Sequence, residues 1–253
     1  MCNKVYLMTT LILFDVDGTL TVPRKKIEKP MEDCLKQLVL KENIDIGFVG
    51  GSDLEKQIEQ LTEENLKLFT WMFSQNGLKS FYNQELFYEK SLIDFLGEEK
   101  YCFIINKILF CLSQLEIPKK RGNFIELRSG LINVSPIGRS CSQCEREEFN
   151  ELDKKYKYRE TLIENIRAQL GEIADEFKYS IGGQISFDMF PKGWDKTFAL
   201  QFVENKYDKI YFFGDMVHEG GNDYEIFHDK RVHGFKVTSY EDTINLLNNN
   251  FLT

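Results

Sequence analysis

Two carboxylates follow a short apolar run near the start of the chain, in the segment Phe14-Asp15-Val16-Asp17-Gly18-Thr19-Leu20. Side chains two residues apart at the end of a strand project to the same side of the backbone, so Asp15 and Asp17 lie together. Like charges held this way are costly unless a cation or a phosphate lies between them. Gly18 then allows a tight turn that a residue with a Cβ atom resists. The segment predicts a strand end that binds a cation or a phosphate. The alternative is an Asp-rich turn with no binding role.

Strands and helices alternate in the first third of the chain and again after about residue 192. The apolar patterns predict strands over 11–14, 44–49, 210–213 and 233–237, and helices over 28–40 and 196–202. Ser52-Asp53-Leu54-Glu55 has the form of a capping box that opens a further helix, with Ser52 as the N-cap. This alternation through short Gly-containing turns is typical of a doubly wound parallel sheet, in which ligands bind at the carboxyl ends of the strands.

Paired strands replace the alternation in the middle of the chain. The sequence predicts pairs of strands over 80–82 with 86–88, 124–128 with 131–134, and 177–181 with 185–189. Helical stretches are predicted over 98–115 and 145–176. We therefore predict a Rossmann-like α/β core formed by residues 1–86 and 192–253, with an α+β domain inserted at 87–191.

The composition is that of a soluble globular protein, with 42% hydrophobic and 28% charged residues. The net charge of −8 argues against general nucleic-acid binding, which needs a basic surface. No apolar stretch reaches the roughly 18 residues that a membrane span requires, and the apolar N-terminus continues into Asp15 without a signal-peptide cleavage site. Cys141-Ser142-Gln143-Cys144 lacks a companion metal motif and is interpreted as incidental. We expect a cytoplasmic protein with neither a membrane nor a nucleic-acid partner.

Three later segments supply groups that suit a phosphate and a cation. Ser52 offers a hydroxyl at a helix N-terminus, a natural phosphate cradle, although a plain N-cap is an equally good interpretation of this residue alone. Lys196 begins a predicted helix, where an ammonium group can neutralise a phosphoryl group or simply lie in solvent. Asp215 and Asp223 follow a predicted apolar strand, and such carboxylates suit Mg²⁺, which prefers oxygen ligands.

Arginines recur in the inserted domain, at Arg121, Arg128, Arg139 and Arg146. Guanidinium groups bind phosphate through paired planar donors, so a convergent set of them predicts a phosphate subsite. Taken singly, each arginine is better explained by surface pairing with nearby glutamates. Ser186 and Asp188 lie in a predicted hairpin, where they suit either sugar hydroxyls or an ordinary turn.

In their order along the chain and in their residues, these segments resemble those of the eukaryotic-type phosphomannomutases, a family of the haloacid dehalogenase superfamily. The resemblance runs from residue 11 to about residue 247, and the matching segments are 14–21 with 23–24, 49–53, 76–78, 118–122, 133–143, 180–188, 193–196 and 211–215 with 220–223. It implies a haloacid dehalogenase core and a mobile cap that also forms a homodimer contact. The implied activity interconverts mannose 6-phosphate and mannose 1-phosphate through an aspartyl-phosphate, with Mg²⁺ and a hexose 1,6-bisphosphate activator. Activity on glucose phosphates and a place in GDP-mannose synthesis are implied as well.

The family's pattern also assigns roles to residues. Asp15 is the implied nucleophile and Asp17 the implied general acid/base, and Ser52 and Lys196 complete the catalytic set. The implied substrate-binding residues are Arg24, Arg128, Arg139, Arg146, Ser186 and Asp188. The implied metal-binding residues are Asp15, Asp17, Asp215, Asp223, Phe227 and Asp229. Phe227 and Asp229 belong to a second cation site.

The chain departs from the family's pattern at a few positions. Met216 and Glu219 replace a lysine and a proline, and Val232 replaces a threonine beside the second cation site. Two alternatives share most of the motifs. A sugar-phosphate phosphatase of the same superfamily has no need of a cap that binds a bisphosphate in two orientations. An inactive binding protein has no need of the intact carboxylates and of Lys196.

Overall fold

The structure is a computed structural model and describes residues 8–252. These residues form eleven strands and nine α-helices. The strands are β1 (Thr10–Phe14), β2 (Ile44–Val49), β3 (Trp71–Ser74), β4 (Lys79–Tyr82), β5 (Glu85–Glu89), β6 (Ile125–Arg128), β7 (Leu131–Val134), β8 (Phe177–Gly182), β9 (Ser186–Pro191), β10 (Lys209–Gly214) and β11 (His233–Lys236). The helices are α1 (Lys29–Leu38), α2 (Leu54–Leu61), α3 (Glu63–Leu66), α4 (Leu92–Leu96), α5 (Glu98–Gln114), α6 (Gln143–Tyr156), α7 (Tyr158–Leu170), α8 (Tyr224–Phe227) and α9 (Tyr240–Leu247).

The chain divides into two compact units. The first unit, called the core unit below, runs up to Glu89 and resumes at Gly193. The second, called the inserted unit, comprises Lys90–Lys192. The division falls at the end of β5, whereas the sequence predicted the insertion from residue 87, which lies inside that strand.

The core unit is built on a seven-stranded sheet in the order β11-β10-β1-β2-β3-β4-β5. The first five strands of this order pair in parallel, and β4 and β5 add an antiparallel edge. The predicted α/β core with a parallel sheet is therefore confirmed. Because β1 lies between β10 and β2, the residues that follow these three strands meet at one edge of the sheet.

Apolar side chains bury both faces of this sheet. Ile12 and Phe14 of β1 pack on one face, in a cluster that includes residues of α1 and α9. Leu11 and Leu13 point to the other face and pack near the 3-10 helix Lys196–Phe202. Period-2 alternation with both faces apolar explains why β1 reads as a continuous apolar run. The site residues that follow β1 are thereby fixed to a strand whose last four residues are buried.

The inserted unit has a four-stranded antiparallel sheet in the order β6-β7-β9-β8. Ile132 and Val134 of β7, and Phe187 and Met189 of β9, are fully buried. Their neighbours along each strand project to the opposite face. On that face the pairing register aligns Glu126, Asn133 and Asp188 side by side across three strands.

Two expectations about helices are wrong in detail. The stretch 145–176 is not one helical region, because Lys157 adopts a left-handed conformation (φ 58°) between α6 and α7. The carboxylate of Asp153 accepts hydrogen bonds from the backbone N–H of Arg159 (2.9 Å) and from its Nε (2.7 Å), which starts the new helix there. Neither glycine nor proline marks this break, so the sequence pattern did not reveal it.

The capping-box interpretation of Ser52 is also wrong. The N-cap of α2 is Asp53, whose side chain accepts a hydrogen bond from the backbone N–H of Lys56 (3.1 Å). A carboxylate at the N-cap competes well with a hydroxyl one residue earlier. By contrast, a serine does cap α9, because the side chain of Ser239 accepts a hydrogen bond from the backbone N–H of Asp242.

The hairpin of β4 and β5 extends the core sheet rather than beginning the inserted unit. Within residues 8–252, no helix combines the length and the apolar character that a membrane crossing requires.

Candidate active site

Four charged side chains meet where β1 and β10 end in the core unit. Asp15 directly follows β1, and its backbone N–H donates to the carbonyl of Phe213 in β10 (2.9 Å). Lys196, the first residue of the 3-10 helix, donates from Nζ to the carboxylates of Asp15 and of Asp223 (2.5 Å to the latter). Asp215 follows β10 and completes the group. Lys196 is only 1% exposed, so its ammonium charge is matched entirely by buried carboxylates.

The cluster contains more acidic than basic side chains. Burial raises the pKa of Asp15 to about 7, and the charge of Asp223 adds to the rise against the opposing effect of Lys196. Burial and the charge of Asp223 raise the pKa of Asp215 in the same way. Burial lowers the pKa of Lys196, but Asp15 and Asp223 more than offset it and the net shift is upward. One ammonium group faces three carboxylates, which favours an additional cation.

The carboxylates fit a divalent metal ion. Oxygen atoms of Asp15, Asp215 and Asp223 all lie within 4.8 Å of one another. Oδ1 of Asp215 is buried and has no hydrogen-bond partner among the described residues, which leaves a lone pair for a ligand. Gly18 has a positive φ (81°), and a Cβ atom there would collide with the Asp215 carboxylate. Carboxylate oxygens in this number are the ligands that Mg²⁺ prefers in proteins.

The carboxylate of Asp17 has different partners from that of Asp15. Its Oδ1 accepts hydrogen bonds from the backbone N–H of Arg24 (2.7 Å) and from Nε2 of Gln60 (2.8 Å). Arg24 has a left-handed backbone conformation (φ 64°), unusual for a residue with a side chain, and this turns its N–H toward Asp17. The side chain of Arg24 is exposed. The two carboxylates that follow β1 therefore have different partners. Asp15 accepts from an ammonium group, and Asp17 accepts from two neutral N–H donors.

A cavity of about 120 Å³ opens beside these carboxylates within the core unit. Asp15, Asp17 and Ser52 line it together, so the structure brings these three predicted residues to one place. Gln57 and Gln60 of α2 also line it, and neither was identified from the sequence. The available signal was their spacing of three residues on one face of a helix that follows a Gly-Gly turn.

The inserted unit gathers predicted substrate-binding residues on the open face of its sheet. Arg128 donates to Oε2 of Glu126 from Nε (3.0 Å) and Nη2 (2.7 Å), and Arg139 approaches the same oxygen (3.4 Å). Arg139 also donates to Oδ1 of Asn133 (2.8 Å), whose Nδ2 donates to Asp188 (2.7 Å). A single carboxylate oxygen therefore holds two guanidinium groups, as an oxygen of a bound phosphate would.

The remaining predicted residues of the inserted unit lie nearby or apart. Ser186 begins β9 two residues before Asp188 and so shares its face of the sheet. The turn before it is fixed by Arg159, which donates to the carbonyls of Gly183 (3.1 Å) and Ser186 (3.0 Å). Arg146 lies in the first turns of α6 and is half-buried, with no side-chain ion pair or hydrogen bond to any residue that the structure describes.

Phe227 is the last residue of α8 and Asp229 follows two residues later, and the backbone N–H of Phe227 donates to the carbonyl of Asp223 (3.0 Å). Both carboxylate oxygens of Asp229 accept from the guanidinium of Arg231, at 2.8 Å each. These bonds lower the pKa of Asp229. Val232 next to it is buried in the apolar core and offers no oxygen from its side chain. The Asp229 carboxylate is therefore paired with a guanidinium group of this chain, and the second cation site stays a prediction.

The α/β fold of this chain is also found in proteins of known structure. Solved structures with this fold include a trehalose-6-phosphate phosphatase from Aspergillus fumigatus, with a TM-score of 0.64 and 15% identity over 96% of this chain and 94% of that one. A protein of Streptococcus mutans matches with a TM-score of 0.65 and 16% identity, over 97% and 100% of the two chains. At these sequence identities the similarity establishes the fold alone.

Sequence comparison identifies the family. The family model of the eukaryotic phosphomannomutases matches residues 31–253. Phosphomannomutase 1 of Dictyostelium discoideum is 49% identical over 244 residues, 96% of each chain. The phosphomannomutase of Nicotiana benthamiana is 47% identical over 242 residues, 96% of this chain and 94% of that one. The chain therefore belongs to the eukaryotic phosphomannomutase family and is an enzyme of that kind, which confirms the resemblance found in its sequence.

Proposed function

We propose that this enzyme interconverts mannose 6-phosphate and mannose 1-phosphate through a phosphorylated Asp15 and a hexose 1,6-bisphosphate. The observation that carries the proposal is the different environment of the two carboxylates after β1. Asp15 is buried against Lys196 (1% exposed) and two further acids, whereas Asp17 accepts from Arg24 N–H and Gln60. Such a division suits one carboxylate to act as the nucleophile and the other to move a proton.

The proposed reaction has two half-reactions. A sugar hydroxyl oxygen attacks the phosphorus atom carried by Asp15, and Asp17 accepts the hydroxyl proton. The bond between phosphorus and the Asp15 oxygen breaks, which returns a free carboxylate and leaves a hexose bisphosphate. Asp15 then attacks the other phosphate of this bisphosphate, and Asp17 gives its proton to the leaving sugar oxygen. Phosphoryl groups and protons balance over the cycle.

Charge on the transferring group is offset by residues that already lie beside Asp15. Lys196 donates to the Asp15 carboxylate and would stabilise the phosphoryl oxygens during transfer. Asp15, Asp215 and Asp223, with the backbone carbonyl of Asp17, would hold Mg²⁺, whose charge stabilises the phosphoryl oxygens when it is bound. Ser52 lines the same cavity and would donate to a phosphate oxygen.

The arginines of the inserted unit are proposed to bind the second phosphate of the bisphosphate. Arg128 and Arg139 already converge on one carboxylate oxygen, and we assign them, with Arg146, to the phosphate that is not reacting. We also assign Arg24 of the core unit to substrate binding. Ser186 and Asp188 share the same sheet face and would bind sugar hydroxyls. A phosphate subsite of this kind serves a bisphosphate in either orientation. We extend the proposal to glucose phosphates and to a hexose 1,6-bisphosphate activator.

Assembly and cellular context complete the proposal. Phe103, Leu109 and Phe110 of α5 are 42%, 48% and 51% exposed, an apolar surface on the inserted unit that suits a homodimer contact. The cysteines of the described residues are all unpaired, in keeping with the reducing cytoplasm. Mannose 1-phosphate made there would serve GDP-mannose synthesis.

A labelling experiment tests the role of Asp15. The enzyme is mixed with Mg²⁺ and hexose 1,6-bisphosphate labelled with ³²P, and the protein is precipitated in acid. We expect the wild type to retain label and Asp15→Asn to retain none above background. Asp33→Asn, which changes an exposed carboxylate of α1, serves as the matched control and should label like the wild type. Equal labelling of Asp15→Asn and the wild type would exclude Asp15 as the nucleophile.

A further inference from the structure

Gln57 lies in α2 with its side chain only 1% exposed, and it lines the cavity beside Asp15 and Ser52. Its position follows from the fold, because the turn Gly50-Gly51 leads from β2 to α2 and directs this face of the helix toward the ends of the strands. A glutamine is seldom so fully buried unless its amide is paired.

Only half of the Gln57 amide is paired. Its Oε1 accepts a hydrogen bond from the hydroxyl of Ser74, the last residue of β3 (2.5 Å). Its Nε2 is buried and has no hydrogen-bond partner among residues 8–252. Because the hydroxyl of Ser74 fixes the carbonyl end of the amide, the two N–H donors are turned away from β3.

Glycine at position 50 leaves room for this amide. A Cβ atom on Gly50 would lie 2.7 Å from Nε2 of Gln57, too close for either group. Gly50 and Gln57 both line the cavity, and the amide nitrogen lies against Gly50. The neighbouring Gln60 differs, since its Nε2 already donates to Asp17 (2.8 Å).

The unpaired donor needs an acceptor, and the cavity determines its chemistry. An ionised phosphate offers only acceptor oxygens, and each hydrogen bond to a charged group is stronger than one between neutral groups. A buried donor that stays unpaired costs free energy. We propose that Nε2 of Gln57 donates to an oxygen of the phosphoryl group carried by Asp15, with Ser74 as the residue that orients the amide. This inference rests on the proposed function, because it requires Asp15 to carry that group.

Beryllium fluoride with Mg²⁺ tests the inference, because it binds to an aspartate carboxylate as a mimic of a phosphoryl group. Its affinity for the full-length enzyme is measured from the ligand-dependent rise in the midpoint of thermal unfolding. We expect Gln57→Leu to weaken this affinity about 10-fold or more, the effect of one hydrogen bond to a charged group. Gln57→Glu keeps the shape and the contact with Ser74 but presents a negative charge, so it should weaken the affinity further. Ser74→Ala should cause a smaller loss.

Folding is controlled separately. The double variant Gln57→Leu with Ser74→Ala removes both partners of the buried hydrogen bond, a change that is nearly neutral for stability when the groups are replaced together. Its unfolding midpoint without ligand should stay close to that of the wild type, while its affinity for beryllium fluoride matches that of Gln57→Leu.

The outcomes separate the two proposals. A wild type that does not bind beryllium fluoride would overturn the aspartyl-phosphate of the proposed function and this inference with it. A wild type that binds, with equal affinity in Gln57→Glu, would overturn this inference alone and leave Gln57 as a partner of Ser74 only. The inference also fails if Gln57→Leu and Gln57→Glu lose affinity equally, because a structural role would not respond to the charge.

Discussion

At the scale of single residues, the site depends on keeping two nearby carboxylates chemically different. Asp15 is surrounded by an ammonium group and other acids in a buried place, whereas the Oδ1 of Asp17 accepts from two neutral donors. The donors of Asp17 come from a left-handed residue in a turn and from a helix 43 residues further along the chain. Neither donor is an acid or a base, yet together they set the position of the residue that is proposed to move the proton.

The raised pKa values of Asp15 and Asp215 predict how pH changes the effect of Mg²⁺ on stability. An acid with a folded-state pKa above its unfolded value of about 3.9 costs stability as pH rises between the two values. For Asp15 this window extends up to about pH 7. A bound cation relieves the cost, so Mg²⁺ should raise the unfolding midpoint more at pH 7.5 than at about pH 5.

Thermal unfolding with and without Mg²⁺ at the two pH values makes this measurement. Asp215→Asn removes one carboxylate of the cluster and should reduce the Mg²⁺ effect at pH 7.5. An equal rise at both pH values in the wild type would contradict the proposed metal site.

Part of the site could be identified from residue types alone. The segments that resemble a known family in sequence contain Asp15, Asp17, Ser52 and Lys196. The structure brings Asp15, Asp17 and Ser52 to one cavity. Gln57 and Gln60 could not be found this way, because buried amides in an amphipathic helix look the same in sequence as solvent-exposed ones. Their significance depends on which way α2 faces, and that is decided by tertiary packing.

At the scale of elements, the two sheets contribute differently. The core strands bury apolar side chains on both faces and deliver functional groups only at their ends, as in β1 and β10. The sheet of the inserted unit buries one face and presents functional side chains along the other, where Glu126, Asn133 and Asp188 form a row. A flat face with convergent guanidinium groups suits a ligand that carries several acceptor oxygens.

The element boundaries were predictable where hydrophobic periodicity is strong. β2 matches its predicted span of 44–49, whereas the break between α6 and α7 was missed because Asp153 makes it through a side-chain contact. The hairpin of β4 and β5 was identified, but its membership of the core sheet was not. Membership depends on the pairing of β3 with β4, and local sequence does not encode that pairing.

The contacts of Arg139 and Glu126 in the inserted unit predict opposite effects of two substitutions on KM. Arg139→Ala should raise the KM for mannose 1-phosphate about 10-fold or more, because a guanidinium–phosphate contact is a strong charge-assisted one. Glu126→Gln removes the carboxylate that competes with the phosphate, so it should lower KM about two- to fivefold. The competition is reflected in the lowered pKa of Glu126, caused first by the hydrogen bonds from Arg128 and then by the charge of Arg139.

Steady-state kinetics of both variants provides the measurement. Arg167→Ala, an exposed arginine of α7 that pairs with Asp175, is the matched control and should leave KM unchanged. An unchanged KM in Arg139→Ala would remove the phosphate role assigned to this residue.

At the scale of the whole molecule, one domain interrupts another. The change from strand–helix alternation to paired strands and back indicated this arrangement in the sequence, and the chain divides into two such units. The individual roles of the site residues and the assembly of the enzyme remain predictions. They involve partners and ligands, which a single chain does not supply.

The exposed apolar residues of α5 predict how the enzyme assembles. Leu109→Glu and Phe110→Glu should each convert a dimer into a monomer, because a buried interface does not tolerate an unpaired charge. Leu40→Glu is the matched control, since Leu40 is 80% exposed in the core unit. Light scattering coupled to size-exclusion chromatography measures the mass. A monomeric wild type, or dimers that survive both α5 changes, would contradict the predicted contact.

The most direct measurement follows the fate of the phosphate. Mannose 1-phosphate is incubated with the enzyme, Mg²⁺ and a trace of hexose 1,6-bisphosphate, and the products are observed by ³¹P NMR. We expect mannose 6-phosphate to accumulate with little inorganic phosphate, because the phosphoryl group passes between Asp15 and sugar oxygens. Inorganic phosphate as the main product would instead make the enzyme a phosphatase and contradict the proposed transfer.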